Sequence, residues 1–211
     1  MQVNELSGII EEVGKNVTKF KKGDKIYSRL PIDKIGAFAE YVAVNADAIS
    51  HMPKNLDFKE AVAVPLTGLT AYQGLHEELE AKAGQIVFIP GGSGSFGQMA
   101  IPIAKSMGLS VIVSGNARAR EQMMKLGVDS YLDYTKEYDK LARKEEKEYR
   151  FIFVRADGEQ LKEITRIVEE NNIVPSIDSR IFTIEEAGEA LKLVANGHTN
   201  GKVIGRVDRF V

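Results

Sequence analysis

Residues 85–134 alternate between strand and helix patterns, and no other stretch limits the fold as tightly. "QIVFIP" (85–90) reads as a buried strand, and "SFGQMAIPIAKSMG" (95–108) as a helix that stops at Gly108. "LSVIVS" (109–114) is the next strand, "ARAREQMMKLG" (117–127) a helix stopping at Gly127, and "DSYLDY" (129–134) a third strand. Strand–helix–strand–helix–strand with short connections demands right-handed parallel crossovers, hence a doubly wound parallel sheet.

The first strand-to-helix turn is glycine-rich. Gly92, Gly94 and Gly97 form G-x-G-x-x-G. In this setting the first glycine permits the tight turn, the second lets backbone approach a pyrophosphate, and the third lets helix and strand pack closely. The helix N-terminus adds unpaired N–H groups and a positive dipole end. A dinucleotide is therefore expected on this loop. Pro102, past the first helical turn, is expected to kink the helix or cost it about 3 kcal/mol. The stretch after Val113 holds Ser114, Gly115, Asn116, Arg118 and Arg120, with no acid before Glu121. An acid there would bind the ribose 2′-hydroxyl of NAD, whereas small polar residues with arginine accept a 2′-phosphate, so the cofactor is expected to be NADPH.

Around this core the pattern differs. Residues 6–53 hold short strand-like runs ("SGIIEEV", "DKIYSR", "AFAEYVAV", "AISHMP") separated by turns, as in a small barrel or part of one. Residues 57–79 show helical spacing broken near Pro65. After residue 134 come a charge-dense stretch (135–150), a strand "FIFV" (151–154), an amphipathic helix (159–172) and a strand "IVPSI" (173–177). The end is read as a helix capped by Thr183 and a final strand.

Composition excludes several function classes. The 211 residues carry a formal charge of −2, which gives no electrostatic case for nucleic acid. There is no cysteine, so disulfides and thiolate metal ligands are excluded. No apolar run reaches the roughly 18–20 residues of a membrane-spanning helix, and the N-terminus lacks a signal-peptide pattern; a cytoplasmic protein is expected. His51, His76 and His198 show no ligand spacing.

"GIIEEVGKNVTKFKKGDKIYS" (8–28), "AVPLTGLTAYQGL" (63–75), "GGSGSFG" (91–97), "LGVDSYLDY" (126–134) and "GHTNGKVIGRV" (197–207) occur in an order that resembles the medium-chain dehydrogenase/reductase superfamily, in particular its zinc-free, NADPH-dependent quinone oxidoreductase-like branch. The resemblance implies an α/β chain: a partial GroES-like β-barrel domain (1–65 with 172–211) and an abbreviated Rossmann doubly wound parallel sheet (66–171). It also implies cofactor-binding positions. Backbone at Gly92, Ser93, Gly94, Ser95, Phe96 and Gly97 would face the pyrophosphate, and Ser114, Asn116 and Arg118 the 2′-phosphate. Tyr134 would lie beside the adenosine, Thr70 toward the nicotinamide, and Lys202 toward the pyrophosphate. No catalytic acid is assigned and no metal is expected: zinc-using relatives carry a His-Glu pair where this chain has Asn4-Glu5, and a cysteine near the position of Leu66.

The sequence also departs from the family. It starts at what would be the middle of the catalytic domain, and the fourth and fifth Rossmann strands are expected to be missing between 137 and 138. The function implied is hydride transfer from NADPH to a quinone or activated enone, without zinc. The alternative is a remnant that holds NADPH without turnover. The apolar edge of 151–154 is expected to form a homodimer.

Overall fold

The computed structural model describes residues 4–33, 36–133, 135, 152–197, 199 and 201–207. The chain divides into two compact units, 1–69 with 155–211, and 70–154.

In the first unit β1 (Glu5–Ile9), β2 (Lys25–Arg29) and β3 (Ile49–His51) form an antiparallel sheet in that order. Helix α1 (Phe58–Ala61) opens on a capping box: the Asp57 carboxylate accepts the Glu60 N–H at 2.9 Å and the Glu60 carboxylate accepts the Asp57 N–H. Helix α2 (Pro65–Gln73) starts on the proline that interrupts the helical pattern and carries the chain into the second unit. Helix α5 (Gly158–Glu170) packs on β3 through Leu161, Ile164, Ile167 and Val168, all buried and spaced for one helical face. The fully buried Tyr27 ties β2 to α5, its hydroxyl lying 2.9 Å from the Leu161 carbonyl and 2.8 Å from the Thr165 hydroxyl. β7 (Ile177–Thr183) and β8 (Lys202–Arg206) pair in parallel, joined through α6 (Ala187–Ala195).

The second unit holds the parallel sheet β4 (Ile86–Ile89), β5 (Ser110–Gly115), β6 (Ser130–Asp133). Helix α3 (Ser95–Ser106) packs on β4 and β5, and α4 (Arg120–Lys125) on β6. Helix α3 runs on through the buried Pro102. The α/β class, with an antiparallel GroES-like part and a parallel Rossmann-like part, is as expected.

Several local expectations are corrected. β4 is not a buried strand. Among the described residues it pairs only with β5, and Ile86 (69% exposed) and Phe88 (48%) line an uncovered face, while Val111 and Val113 are fully buried on the other. Residues 37–44 form no strand: Phe38, Tyr41 and Val42 are exposed and no neighbouring strand takes up their backbone groups. Residues 152–154 form no strand either, with Phe153 exposed, so the edge expected to make a homodimer is not built there; Phe151 lies outside the described residues, as does the charge-dense stretch from 136 to 150. The strand expected at 173–177 begins only at Ile177, past Pro175, which cannot donate to a ladder. Thr183 does not cap α6; the helix starts four residues later, and the Thr183 N–H donates instead to the Glu186 carboxylate at 2.8 Å. The residues 155–171 cluster with the first unit, where α5 packs on β3. No helix among the described residues is long and apolar enough to cross a membrane.

Candidate nucleotide-binding site

The loop 90–94 joins β4 to α3 at the C-terminal edge of the parallel sheet, where doubly wound folds bind ligands. Hydrogen bonds hold it, among them one donated by the Gln98 side-chain amide N–H to the Ser93 carbonyl at 3.4 Å. The Gly92 N–H donates to the Ser114 carbonyl at 2.9 Å, the Gly91 N–H to the Ser114 hydroxyl at 3.3 Å, and the Gly94 N–H to the Gly91 carbonyl at 3.1 Å. Gly91 adopts φ 65°, which a side chain would strain. At Gly97 a Cβ would lie 2.1 Å from the Gly92 carbonyl oxygen, so only glycine lets the first turn of α3 close on the loop. Gly94 is different: a Cβ there would meet only the Gly91 oxygen, at 3.6 Å.

Gly94 is the N-cap of α3 and supplies no side-chain acceptor. The first-turn N–H groups of Ser95, Phe96 and Gly97 therefore point out of the helix end with no cap, and α3 has no acid in its first turn. An anion placed there gains about 0.3–1 kcal/mol from the helix end, plus charge-assisted hydrogen bonds. A cradle lined by glycine backbone fits a pyrophosphate.

The remaining candidate residues fall out as follows. Ser114 is buried, and its hydroxyl accepts the Gly91 N–H at 3.3 Å, so it braces the loop while its own O–H stays available to donate. Asn116 and Arg118 are exposed on the turn after β5. The Asn116 side chain caps the one-turn helix Ala117–Ala119, accepting the Ala119 N–H at 3.2 Å. Thr70 is half-buried within α2. The Lys202 ammonium is paired with the Glu5 carboxylate, whose other oxygen accepts the Leu66 N–H at 2.8 Å. Tyr134 lies outside the described residues, as does His198. One residue that sequence reasoning had read only as a fold element also belongs here. The Tyr131 hydroxyl donates to the Asn116 carbonyl at 2.6 Å, and it passes so close to Gly115 that a Cβ there would lie 2.2 Å away. The glycine at the end of β5 was the one sequence signal for that approach.

Among the described residues no three His, Cys, Asp or Glu side chains converge. His51 lies 3.2 Å from Asp24, and His76 stacks on Tyr72. A surface cavity of about 790 Å³ in the first unit, lined by Phe20, Asp47, His51, Lys54 and Lys162 among others, contains none of the expected site residues.

Two family signatures match residues 1–204: the alcohol dehydrogenase GroES-like domain over residues 1–54, and the zinc-binding dehydrogenase family over residues 54–204. The chain belongs to the medium-chain dehydrogenase/reductase superfamily. Among its relatives is a 2-methylene-furan-3-one reductase of Solanum lycopersicum, 30% identical over 95% of this chain and 62% of that protein. That matched span is 241 positions long, more than the 211 residues here, so the relative has residues inside it without counterparts in this chain. The quinone oxidoreductase of Homo sapiens is 31% identical over 64% of this chain and 43% of its own length. The structure of the quinone oxidoreductase from Coxiella burnetii superposes with a TM-score of 0.83 at 25% identity, covering 98% of this chain and 79% of that one. This superfamily member thus spans less than two thirds of the length of the curated relatives it matches.

Proposed function

We propose that this medium-chain dehydrogenase/reductase chain binds NADPH and serves hydride transfer to a small quinone or activated enone, without a metal. The observation that carries the reading is the 91–97 loop, where backbone closes on backbone beneath an uncapped helix end. Bound there, NADPH supplies a hydride from nicotinamide C4, and the protein's part is orientation. In this reading the backbone of Ser93, Gly94, Ser95 and Phe96 holds the pyrophosphate, and Ser114, Asn116 and Arg118 face the adenosine 2′-phosphate. Tyr134 flanks the adenosine and Thr70 the nicotinamide. Lys202 is the further cofactor-binding candidate, its ammonium paired with Glu5. The relatives that are named as quinone, enone or NAD(P)H oxidoreductases support the reaction class.

A second reading, NADPH held without turnover, is favoured by β4. In a full doubly wound sheet further strands flank this one on the side where the cofactor crosses, but here its outer edge is unpaired among the described residues. Fluorescence titration with NADPH and NADH, followed by NADPH oxidation with phenanthrenequinone, separates the two. Binding with oxidation supports the enzyme, binding without it supports the holder, and no binding of either nucleotide overturns both.

A further inference from the structure

We propose that Arg29 recognises a carboxylate on a small molecule, which narrows the substrate of this chain to a carbonyl compound that carries one. Calling that compound a substrate rests on the reaction reading above; the carboxylate site itself does not need it.

The first observation is an unmet charge. Arg29 ends β2 and stands opposite Glu5 of β1, both in the first unit. It is 7% exposed, and a buried cation is costly unless an anion and hydrogen bonds compensate it. Among the described residues the guanidinium has a single protein acceptor: Nη1 donates to the Leu30 carbonyl at 3.2 Å. Nε is closed off from solvent and has no acceptor. Burial lowers the guanidinium pKa, and Glu5 offsets this only in part.

The second observation is that the carboxylate at hand is already engaged. One Glu5 oxygen accepts the Leu66 N–H at 2.8 Å, and the other is paired with the Lys202 ammonium. Glu5, Lys202 and Arg29 together leave a surplus of one positive charge in a mostly buried cluster. A carboxylate brings one negative charge and a planar pair of oxygens that suits a guanidinium, whereas a phosphate dianion would overshoot the surplus.

The third observation is local. Asn4, just before Glu5, has a buried side-chain oxygen with no donor, and its carbonyl accepts the Leu30 N–H at 2.6 Å. Among the described residues the unpartnered buried side-chain atoms, Arg29 Nε and Asn4 Oδ1, thus fall at one corner of the antiparallel sheet. That corner is not sealed. The side chains of Lys202 and Glu5 keep 20% and 15% of their surface exposed, so a small anion has a way in from their side.

The test titrates the full chain with levulinate and with its uncharged methyl ester, followed by NMR shift changes. The unaltered chain is expected to bind levulinate at least about tenfold more tightly than the ester, the effect of one charge-assisted contact. Arg29→Met is expected to erase that preference and to melt no lower than the unaltered chain, because it removes a buried cation that lacks an anion. Arg29→Lys keeps the charge without the planar fork, and is expected to weaken levulinate about threefold with the ester unchanged. Should Arg29→Met fail to fold, Arg29→Lys decides. Equal affinity of the unaltered chain for levulinate and ester overturns the proposal. So does an unchanged preference in the variants, or an equal weakening of acid and ester, which marks a merely structural arginine. If Arg29→Met weakens NADPH about tenfold and NADPH displaces levulinate, the anion belongs to the cofactor and the proposal falls. If levulinate binds through Arg29 while neither nucleotide binds, the reaction reading fails and the carboxylate site stands.

Discussion

Gly97 approaches Gly92 so closely that a Cβ on it would lie 2.1 Å from the Gly92 carbonyl oxygen and 2.4 Å from its Cα. Both clashing atoms are backbone, so no rotamer change relieves them. Gly97→Ala is therefore expected to open the loop, costing about 1–3 kcal/mol in a urea or thermal unfolding experiment and removing NADPH binding. Gly94→Ala meets only ordinary contact. Its melting temperature should stay close to that of the unaltered chain while NADPH affinity falls at least about tenfold, because the added methyl faces the ligand instead of the fold.

Glu5 and Lys202 give a second measurable pair. Both side chains are mostly buried, and Glu5 also serves the Leu66 N–H at the start of α2. Glu5→Gln leaves the ammonium without its anion, and about 1–3 kcal/mol of stability is expected to be lost in denaturant titration.

Asp129 predicts an acid limb. The Val111 N–H donates to its carboxylate at 2.6 Å and the Lys105 ammonium at 2.9 Å, and these, the backbone donor first, hold its pKa below the ordinary 3.8. A carboxyl depressed in the folded state adds stability that is fully present above the unfolded value and disappears as pH falls through the folded one. Melting temperatures measured from pH 6 down to about pH 2 should fall more steeply for the unaltered chain than for Asp129→Asn. Parallel curves would show that this carboxylate contributes nothing.

Tyr27 predicts the alkaline limb. Burial raises its phenol well above the ordinary 10.0, so folding favours the neutral form; the stability it brings is complete below pH 10 and is lost as pH rises further. Tyr27→Phe is expected to be about 1–2 kcal/mol less stable at neutral pH, with the Leu161 carbonyl and Thr165 hydroxyl losing a partner, and less sensitive to pH above 10.

Much of the candidate site was legible because its signals are local. A G-x-G-x-x-G between an apolar strand and an amphipathic helix specifies its own turn, and the absence of an acid between Val113 and Glu121 needs no tertiary knowledge. As a small polar residue at a strand end Ser114 reads as a ligand contact; that its hydroxyl also accepts the Gly91 N–H comes only from the fold. Tyr131 was hidden for the opposite reason. A tyrosine inside a strand pattern reads as core, and only the register of β5 against β6 brings its hydroxyl to Asn116, fifteen residues away in the chain.

The sequence by itself determined the alternation of strands and helices from 86 to 133, the glycine loop and the superfamily, because periodicity, turn chemistry and motif order are properties of neighbouring residues. Tertiary structure alone decided what depends on partners distant in sequence. Residues 37–44 and 152–154 have apolar, β-prone composition, but a strand exists only where another strand accepts its backbone groups. β4 has the apolar run of a buried strand, yet without a covering layer Ile86 and Phe88 stay in contact with solvent. Helix α5 could have joined either unit on its pattern alone; the complementary buried surface of β3 assigned it to the first.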